Sequence, residues 1–472
     1  MSIPDALLTR PLATVSTMNI ETNILDPIVI NQNFARFVLE RKGILDTGSA
    51  ITFSLQTTAA GDKKAYLPVK TGIHSLVRRA TLRIGSKVVA ITDEYPFYQT
   101  IRRQFKTAEE KAQKDMVKVG TVDVVCPDNQ QTGKLQLRDV DYGSSATDAE
   151  VLHSIRLTDQ VGHTPIFSIK ISELFPAMRN VQLPLYLIAE PCSIELSFNT
   201  QSSTQDGVLA VFEDGYSDST EVTLATQNVK FLADYLTYDD NRMEETAKQV
   251  MGAGMAIPYE DVVLTSTNFP ASNPAPSAST PVQERIVRDL GLSGMNVRAI
   301  LAHMHKSSTV NKMLGVYSSE AYNVPDSFNV RVNDSQIYPR EVQSESQKAY
   351  QLSQVFGTDI AVHSAEYSKD IATDKSSADQ DVNNDPFSAA KLGGNAQSAL
   401  LGSSHYLGVD LSISPINAPG NSTKVGQKPV QMLHTITNTN ADNTARDVKY
   451  FSIVERMTVS YTHLTLPTNR EV

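Results

Sequence analysis

Short runs of β-branched and aromatic residues recur along this chain, and long helical stripes do not. Ala35–Glu40, Ile51–Gln56, Ala80–Ile84, Val88–Ile91, Val117–Cys126, Ile166–Ile171 and Ser193–Asn199 are rich in Val, Ile, Phe and Leu. Several alternate with polar residues, the period of a half-buried strand. Ile194, Leu196 and Phe198 point one way, and Glu195 and Ser197 the other. Gly85-Ser86 between Leu82-Arg83-Ile84 and Lys87-Val88-Val89 reads as a two-residue hairpin turn with Gly first. Many short strands with sparse helices predict an all-β, sandwich or jelly-roll architecture.

The few helical signals are local. Tyr98, Ile101 and Phe105 share a face after Asp93 and Pro96, and Thr107-Ala108-Glu109-Glu110 is a possible capping box. Ser172–Phe175 is at most a short helix. Asp239 or Asp240 can cap a helix that carries Met243, Ala247 and Val250 on one face and ends at Gly252. Ser344 with Gln347 forms a second capping box, followed by Ala349, Leu352 and Phe356 at helical spacing before Gly357.

A hairpin followed by a helix occurs once in each half. Leu82-Arg83-Ile84, Gly85-Ser86 and Lys87-Val88-Val89 lead to the helix through Phe105. Val330-Arg331-Val332, Asn333-Asp334 and Ser335-Gln336-Ile337 lead to the helix through Phe356. This spacing suggests a duplicated domain with a boundary at Asp239–Gly252. The expected division is 1–238, a connecting helix at 239–252, and 253–458. Two polar stretches, Thr265–Pro281 and Asp374–Ser398, are expected to be projecting loops.

The charge balance narrows the function classes. The chain has 472 residues, 42 Lys+Arg against 52 Asp+Glu, and a net charge of −10, which argues against a dedicated nucleic-acid binder. No apolar run reaches the roughly 18–20 residues of a membrane span, and no signal peptide is visible. Two Cys cannot make a disulfide scaffold and fit a reducing compartment. Val459–Val472 resembles the translated sequence of a sequencing adapter, so it is set aside as non-native, with the native carboxyl end missing.

No chemistry-bearing constellation emerges, and no catalytic, cofactor-binding or metal-ligating residue is assigned. His303 and His305 share a strand face and can meet one metal, but no third ligand is evident; the alternative is two polar-face histidines. Cys126 and Cys192 read as small buried hydrophobes. Gly252-Ala253-Gly254 ends a helix, the wrong context for dinucleotide binding. Glu109-Glu110, Asp239-Asp240 and Glu244-Glu245 fit solvated faces or helix dipoles. The sequons at Asn333 and Asn421 read as chance. Arg78, Arg79, Arg83, Lys87, Arg102 and Arg103 are the densest positive charge: a strand face or subunit ion pairs, with phosphate binding as the alternative.

Several segments, in order, resemble one family. Residues 75–88 are similar to its early hairpin. Ile171–Phe175, Leu183–Leu187 and Cys192–Asn199 resemble its late first-domain strands. Ala233–Leu236 through Asp240-Asn241-Arg242 resembles the passage to its second domain. Val330–Asp334 with Ile337–Val342 resembles the second hairpin, and Tyr450–Val459 the last strand. The family is that of the double jelly-roll major capsid proteins of virophages, polinton-like viruses and large eukaryotic DNA viruses. The Gly85-Ser86 turn departs from the two glycines expected there.

The resemblance implies two eight-stranded antiparallel sandwiches with a few short helices and no enzymatic activity. It implies a homotrimeric, pseudo-hexagonal capsomer of an icosahedral shell, located in the virion and assembled inside an infected cell. Its partners would be itself, neighbouring capsomers and minor capsid or penton proteins, with no sequence-specific nucleic acid and no cofactor. Wide sandwich sides suit cyclic interfaces, and acidic charge suits solubility before assembly. An attachment or glycan-binding β-sandwich module is the alternative; the absence of Trp counts against it.

Overall fold

The computed structural model describes residues 19–460 apart from 58–64, 69–70, 104–105, 107–114, 122–135, 139–150, 154–155, 158–164, 180, 201–207, 213–221, 239–240, 242, 246, 249–254, 278–279, 307–324, 357–405, 414–420, 439–442 and 444. The first half is built on eight principal strands: β1 (Asn19–Leu25), β2 (Phe34–Val38), β3 (Ala50–Phe53), β4 (Val77–Ile84), β5 (Lys87–Asp93), β6 (Phe167–Lys170), β7 (Cys192–Phe198) and β8 (Lys230–Thr237). The second half has eight more: β9 (Met255–Phe269), β10 (Val282–Asp289), β11 (Asn296–Lys306), β12 (Ser327–Val332), β13 (Ser335–Gln336), β14 (Tyr406–Asp410), β15 (Gln431–Asn438) and β16 (Arg446–Ser460).

Their pairing shows the duplication. In the first half the strands lie in the orders β1-β8-β3-β6 and β2-β7-β4-β5. In the second half they lie in the orders β9-β16-β11-β14 and β10-β15-β12-β13. Counting from one within each half, both are 1-8-3-6 facing 2-7-4-5, all antiparallel. This is one jelly roll made twice, so the chain is a double jelly roll. Short extra strands, such as Val29–Ile30 beside β2, extend the first roll's sheets.

Alternation along each strand builds the two cores. Ile51, Phe53, Phe167, Ile169, Phe231 and Tyr235 face Phe37, Ala80, Leu82, Ile194 and Leu196 across the first sandwich, all buried. Glu195 and Ser197 stay half-buried on the opposite face of β7. The second core packs Ile300, Ala302, Met304, Val448 and Tyr450 against Phe328, Val330, Met432 and Ile436. Each fully buried large side chain contributes roughly 1.5–3 kcal/mol of transfer free energy, the dominant favourable term in a sandwich of this kind.

The turns follow their residues. Gly85 has φ +57° and Ser86 has negative φ, which fits a type II′ turn closing β4 to β5. Asn333 and Asp334 have φ +51° and +66°, the two left-handed residues of a type I′ turn closing β12 to β13. Helix α1 (Tyr95–Arg103) follows the first hairpin and α2 (Glu345–Phe356) the second. The Ser344 capping box forms in both directions: Gln347 N–H donates to Ser344 Oγ at 3.3 Å, and Ser344 N–H to Gln347 Oε1 at 3.4 Å. Ile171–Leu174 is a single helical turn.

Three expectations need correction. Met116–Val119 is helical, where Val117–Cys126 reads as a strand; 122–126 lie outside the described residues. Val119 is buried with its carbonyl against Gly72, where any Cβ would come within 2.1 Å of that oxygen, while Val117 is 72 % exposed. Over its described residues, 117–121, the apolar run therefore contributes the buried Val119 and no strand. The second correction is Thr265–Phe269, which reads as the start of a loop. It is the last third of β9, paired with Arg446–Tyr450 of β16. Its polar residues suit a strand whose hydrogen bonds come from a 15-residue partner. The third correction, at His303, concerns the contact between the rolls.

Between the rolls, Asn241, Met243–Glu245, Ala247 and Lys248 are helical, with Met243 and Ala247 half-buried and Glu244 paired to Lys248 at 2.9 Å. The expected caps at Asp239, Asp240 and Gly252, and Val250, lie outside the described residues, as do Phe105, Glu109-Glu110, Cys126, Gly357 and Asp374–Ser398. Strand β16 runs on through Val459 and Ser460, which pair with Ala256 and Met255. Residues 461–472 are not described. Among the described residues no helix is long and apolar enough to cross a membrane.

Candidate assembly surfaces

One site built from distant parts of the sequence is the joint between the rolls. Helix α1 leaves the first roll and lies on the outward face of the β9-β16-β11-β14 sheet. Phe97, Tyr98 and Ile101 pack there with Val262, Ala299, Leu301, Phe451 and Ile453, and α2 adds Leu352 and Val355. Strand β5 adds a polar tie, with Tyr259 Oη donating to Val89 O at 2.9 Å.

His303 and His305 sit in this joint, and share a strand face as their spacing requires. His303 is edge-on to the Phe97 ring at 4.9 Å and His305 stacks on it at 5.2 Å. His303 is fully buried and so is no polar-face histidine, whereas His305 is half-buried beside Asp447. Burial pushes His305 down to about 4, against the pull of Asp447 3.8 Å away. Lys449 lies 4.7 Å above the same Phe97 ring and 3.6 Å from Glu94. Among the described residues no group of three His, Cys, Asp or Glu is arranged to hold a metal. Asp261, on β9, is pushed up to about 6 by burial, against Arg456 at 3.3 Å.

The basic cluster resolves into ion pairs within the first roll. Arg79 meets Asp93 at 3.3 Å, Arg78 meets Glu94 at 3.6 Å, and Arg83 meets Glu195 at 2.7 Å. Arg36, which the sequence did not single out, reaches the same Glu195 at 3.7 Å. Arg102 and Arg103 lie in the last turn of α1; burial lowers Arg102 to about 10. Cys192 is buried at the start of β7, and burial raises its thiol to about 12, which disfavours the thiolate.

Two exposed surfaces stand out among the described residues. On the outer sheet of the first roll, Ile20 and Ile24 of β1 are 59 % and 66 % exposed. In the second roll, an open cleft of about 660 Å³ lies between the segment after β13 and helix α2, lined by Tyr338, Arg340, Glu341, Gln347 and Tyr350 among others. Tyr338 Oη donates to Gln351 Oε1 at 2.8 Å, and Glu341 pairs with Arg285 at 2.9 Å. Nothing in the local sequence marks either surface, because each depends on what the other elements leave uncovered.

No family model matches this chain, and no curated protein matches it. Solved structures do. A chain of the Sputnik virophage, from its structure by cryo-EM at 3.5 Å, is similar at 11 % identity with TM-score 0.57, covering 99 % of this chain and 92 % of that one. The mavirus major capsid protein is similar at 11 % identity with TM-score 0.54, covering 99 % and 96 %. The Faustovirus major capsid protein is similar at 8 % identity with TM-score 0.55, covering 96 % and 92 %. The likeness is one of fold and runs over both rolls.

Proposed function

We propose that this chain is a major capsid protein, a structural subunit of an icosahedral viral shell that works as a homotrimer. One observation carries the reading: a single chain repeats the 1-8-3-6 and 2-7-4-5 sheets, and the two rolls are joined by a buried apolar contact. Three such chains would present six similar rolls, an outline that tiles a hexagonal lattice. The similar chains from Sputnik, mavirus and Faustovirus support it, two of them described as major capsid proteins. The role is non-enzymatic and located in the virion, with neighbouring capsomers and minor capsid or penton proteins as partners. In this reading the rolls occupy 1–238 and 253–458, linked by 239–252, and 459–472 is adapter-derived, its first two residues extending β16.

Light scattering on the purified chain tests it. The expected mass is three times 51.7 kDa. A stable single-chain mass together with glycan binding would favour the attachment-module reading instead.

A further inference from the structure

Arg78, Arg79 and Arg83 of the basic cluster each face a carboxylate, but Arg102 does not. It lies in the last turn of α1 and makes no ion pair among the described residues. After burial itself, the strongest influence on its charge is repulsion from a second cation, Arg179. Tyr98, Glu173 and Tyr95 pull the other way. Arg179 follows the short 3₁₀ turn Pro176–Met178, which packs against β9. Helix α1 lies on the same sheet of the second roll. The fold therefore brings two guanidinium groups from distant parts of the chain together at the edge of the joint.

Tyr98, one turn before Arg102, fixes the second cation. Arg179 Nη2 donates to Tyr98 Oη at 2.7 Å, and the guanidinium lies 5.7 Å over the Tyr98 ring. Arg179 Nε–H is buried with no acceptor among the described residues. Tyr98 is 0 % exposed, and its hydroxyl, which accepts from Arg179, keeps its own proton to donate. The nearby carboxylates are committed elsewhere: Lys106 meets Asp115 at 2.8 Å and Glu173 at 3.3 Å. The carboxyl end of α1 supplies roughly half a negative charge, which leaves most of two positive charges uncompensated. Unpaired charges out of water are costly, so the pair calls for a counter-ion. Both arginines are half-buried, which leaves a small ion room to reach them.

We propose that Arg102 and Arg179, with the Tyr98 hydroxyl, form a binding site for a phosphate group. Two guanidinium forks and one O–H supply donors in different planes, which suits a tetrahedral oxyanion better than a flat carboxylate. A phosphate dianion neutralises both cations, where one carboxylate neutralises one. Bound there, it ties α1 of the joint to the turn that ends at Arg179. A free phosphate ion and the phosphate of a larger molecule share this chemistry. The inference does not depend on the homotrimer reading.

Calorimetric titration and thermal melts of the purified full chain test it, with inorganic phosphate, adenosine monophosphate and acetate as probes at matched ionic strength. Saturable binding of inorganic phosphate or of the nucleotide is expected, together with a raised melting temperature, since a ligand of the folded state stabilises it. Tighter binding of inorganic phosphate assigns the site to the free ion, and tighter binding of the nucleotide to a carried phosphate. Arg102→Gln and Arg179→Gln should each weaken binding by roughly 10-fold or more, the scale of one charge-assisted hydrogen bond. Arg340→Gln, at an exposed position in the second roll, should leave it unchanged. Failure of both phosphate probes to bind overturns the inference, as does binding that survives both glutamine variants, or acetate that binds as tightly as phosphate. Should the glutamine variants not fold, Arg102→Lys keeps the charge and loses the fork; weaker phosphate binding in it supports the site, and unchanged binding overturns it.

Discussion

A buried histidine is hydrogen-bonded to a tyrosine hydroxyl in each roll. His74 meets Tyr95 at 2.8 Å, and His434 meets Tyr450 at 2.7 Å. Burial lowers His74 to about 4 and His434 to about 3, and His305 in the joint to about 4, from an ordinary 6.5. In the unfolded chain all three take protons near pH 6.5; in the folded chain they resist until about pH 4. Their contribution is therefore complete above pH 6.5 and is lost as pH falls toward 4. Asp261 runs the other way. Burial raises it from 3.8 to about 6, so its ionised form costs stability above pH 6, and that cost is relieved between 6 and 3.8. Three groups oppose one, each worth up to about 1.4 kcal/mol per pH unit. Urea unfolding at pH 7 and pH 5 should show a lower midpoint at pH 5; a higher one would contradict these environments.

At the same scale, Phe97 is 5 % exposed and holds the joint against both histidines and Lys449. Phe97→Ala should cost about 3–5 kcal/mol. Because the loss falls between the rolls, calorimetry is expected to show the unfolding transition broaden or split; an unchanged single transition would mean the joint does not couple them.

The hairpins are the elements most legible in the sequence. Gly85 supplies the left-handed residue, and a Cβ there would also meet the Glu190 carboxylate at 1.8 Å. Gly85→Ala should cost about 1–2 kcal/mol from the backbone alone, readable as a lowered melting temperature. Asn333 does two jobs: its left-handed φ makes the turn, and its side chain accepts from Gly426 N–H at 2.6 Å and donates to Lys424 O at 3.2 Å. The Ser344–Gln347 box was equally readable, because its bonds are local. Other features were not, because their partners lie far along the chain. Ser266 and Thr267 read as loop until Lys449 and Val448 of β16 pair with them. His303 reads as a surface residue until α1 arrives from roughly 200 positions earlier to cover it. The assembly surfaces were the least legible, since exposure of Ile20 or Tyr350 follows only from where everything else packs.

The corrected strand boundary changes one expectation about the loop after β9. Ser272 is buried; its N–H donates to Asn443 Oδ1 at 2.7 Å, and it is also held by Asn438, which accepts from Arg446. Beyond it the ties among the described residues are local, with Thr280 N–H donating to Ser277 O at 3.3 Å. Removing residues 274–280 is expected to leave folding and oligomeric mass unchanged in light scattering, whereas a deletion reaching back into Thr265–Phe269 should abolish the folded second roll.

For the whole molecule, the strand order is duplicated and the two rolls share a buried apolar joint. A unit of that kind can close three-fold while presenting six similar sides, which is what a shell with hexagonal packing requires. Electron microscopy of the purified particles, averaged without imposed symmetry, tests this most directly. The account predicts three-fold particles with six lobes of similar size and a hexagonal outline. Isolated two-lobed particles, or rings with any other number of lobes, would contradict it.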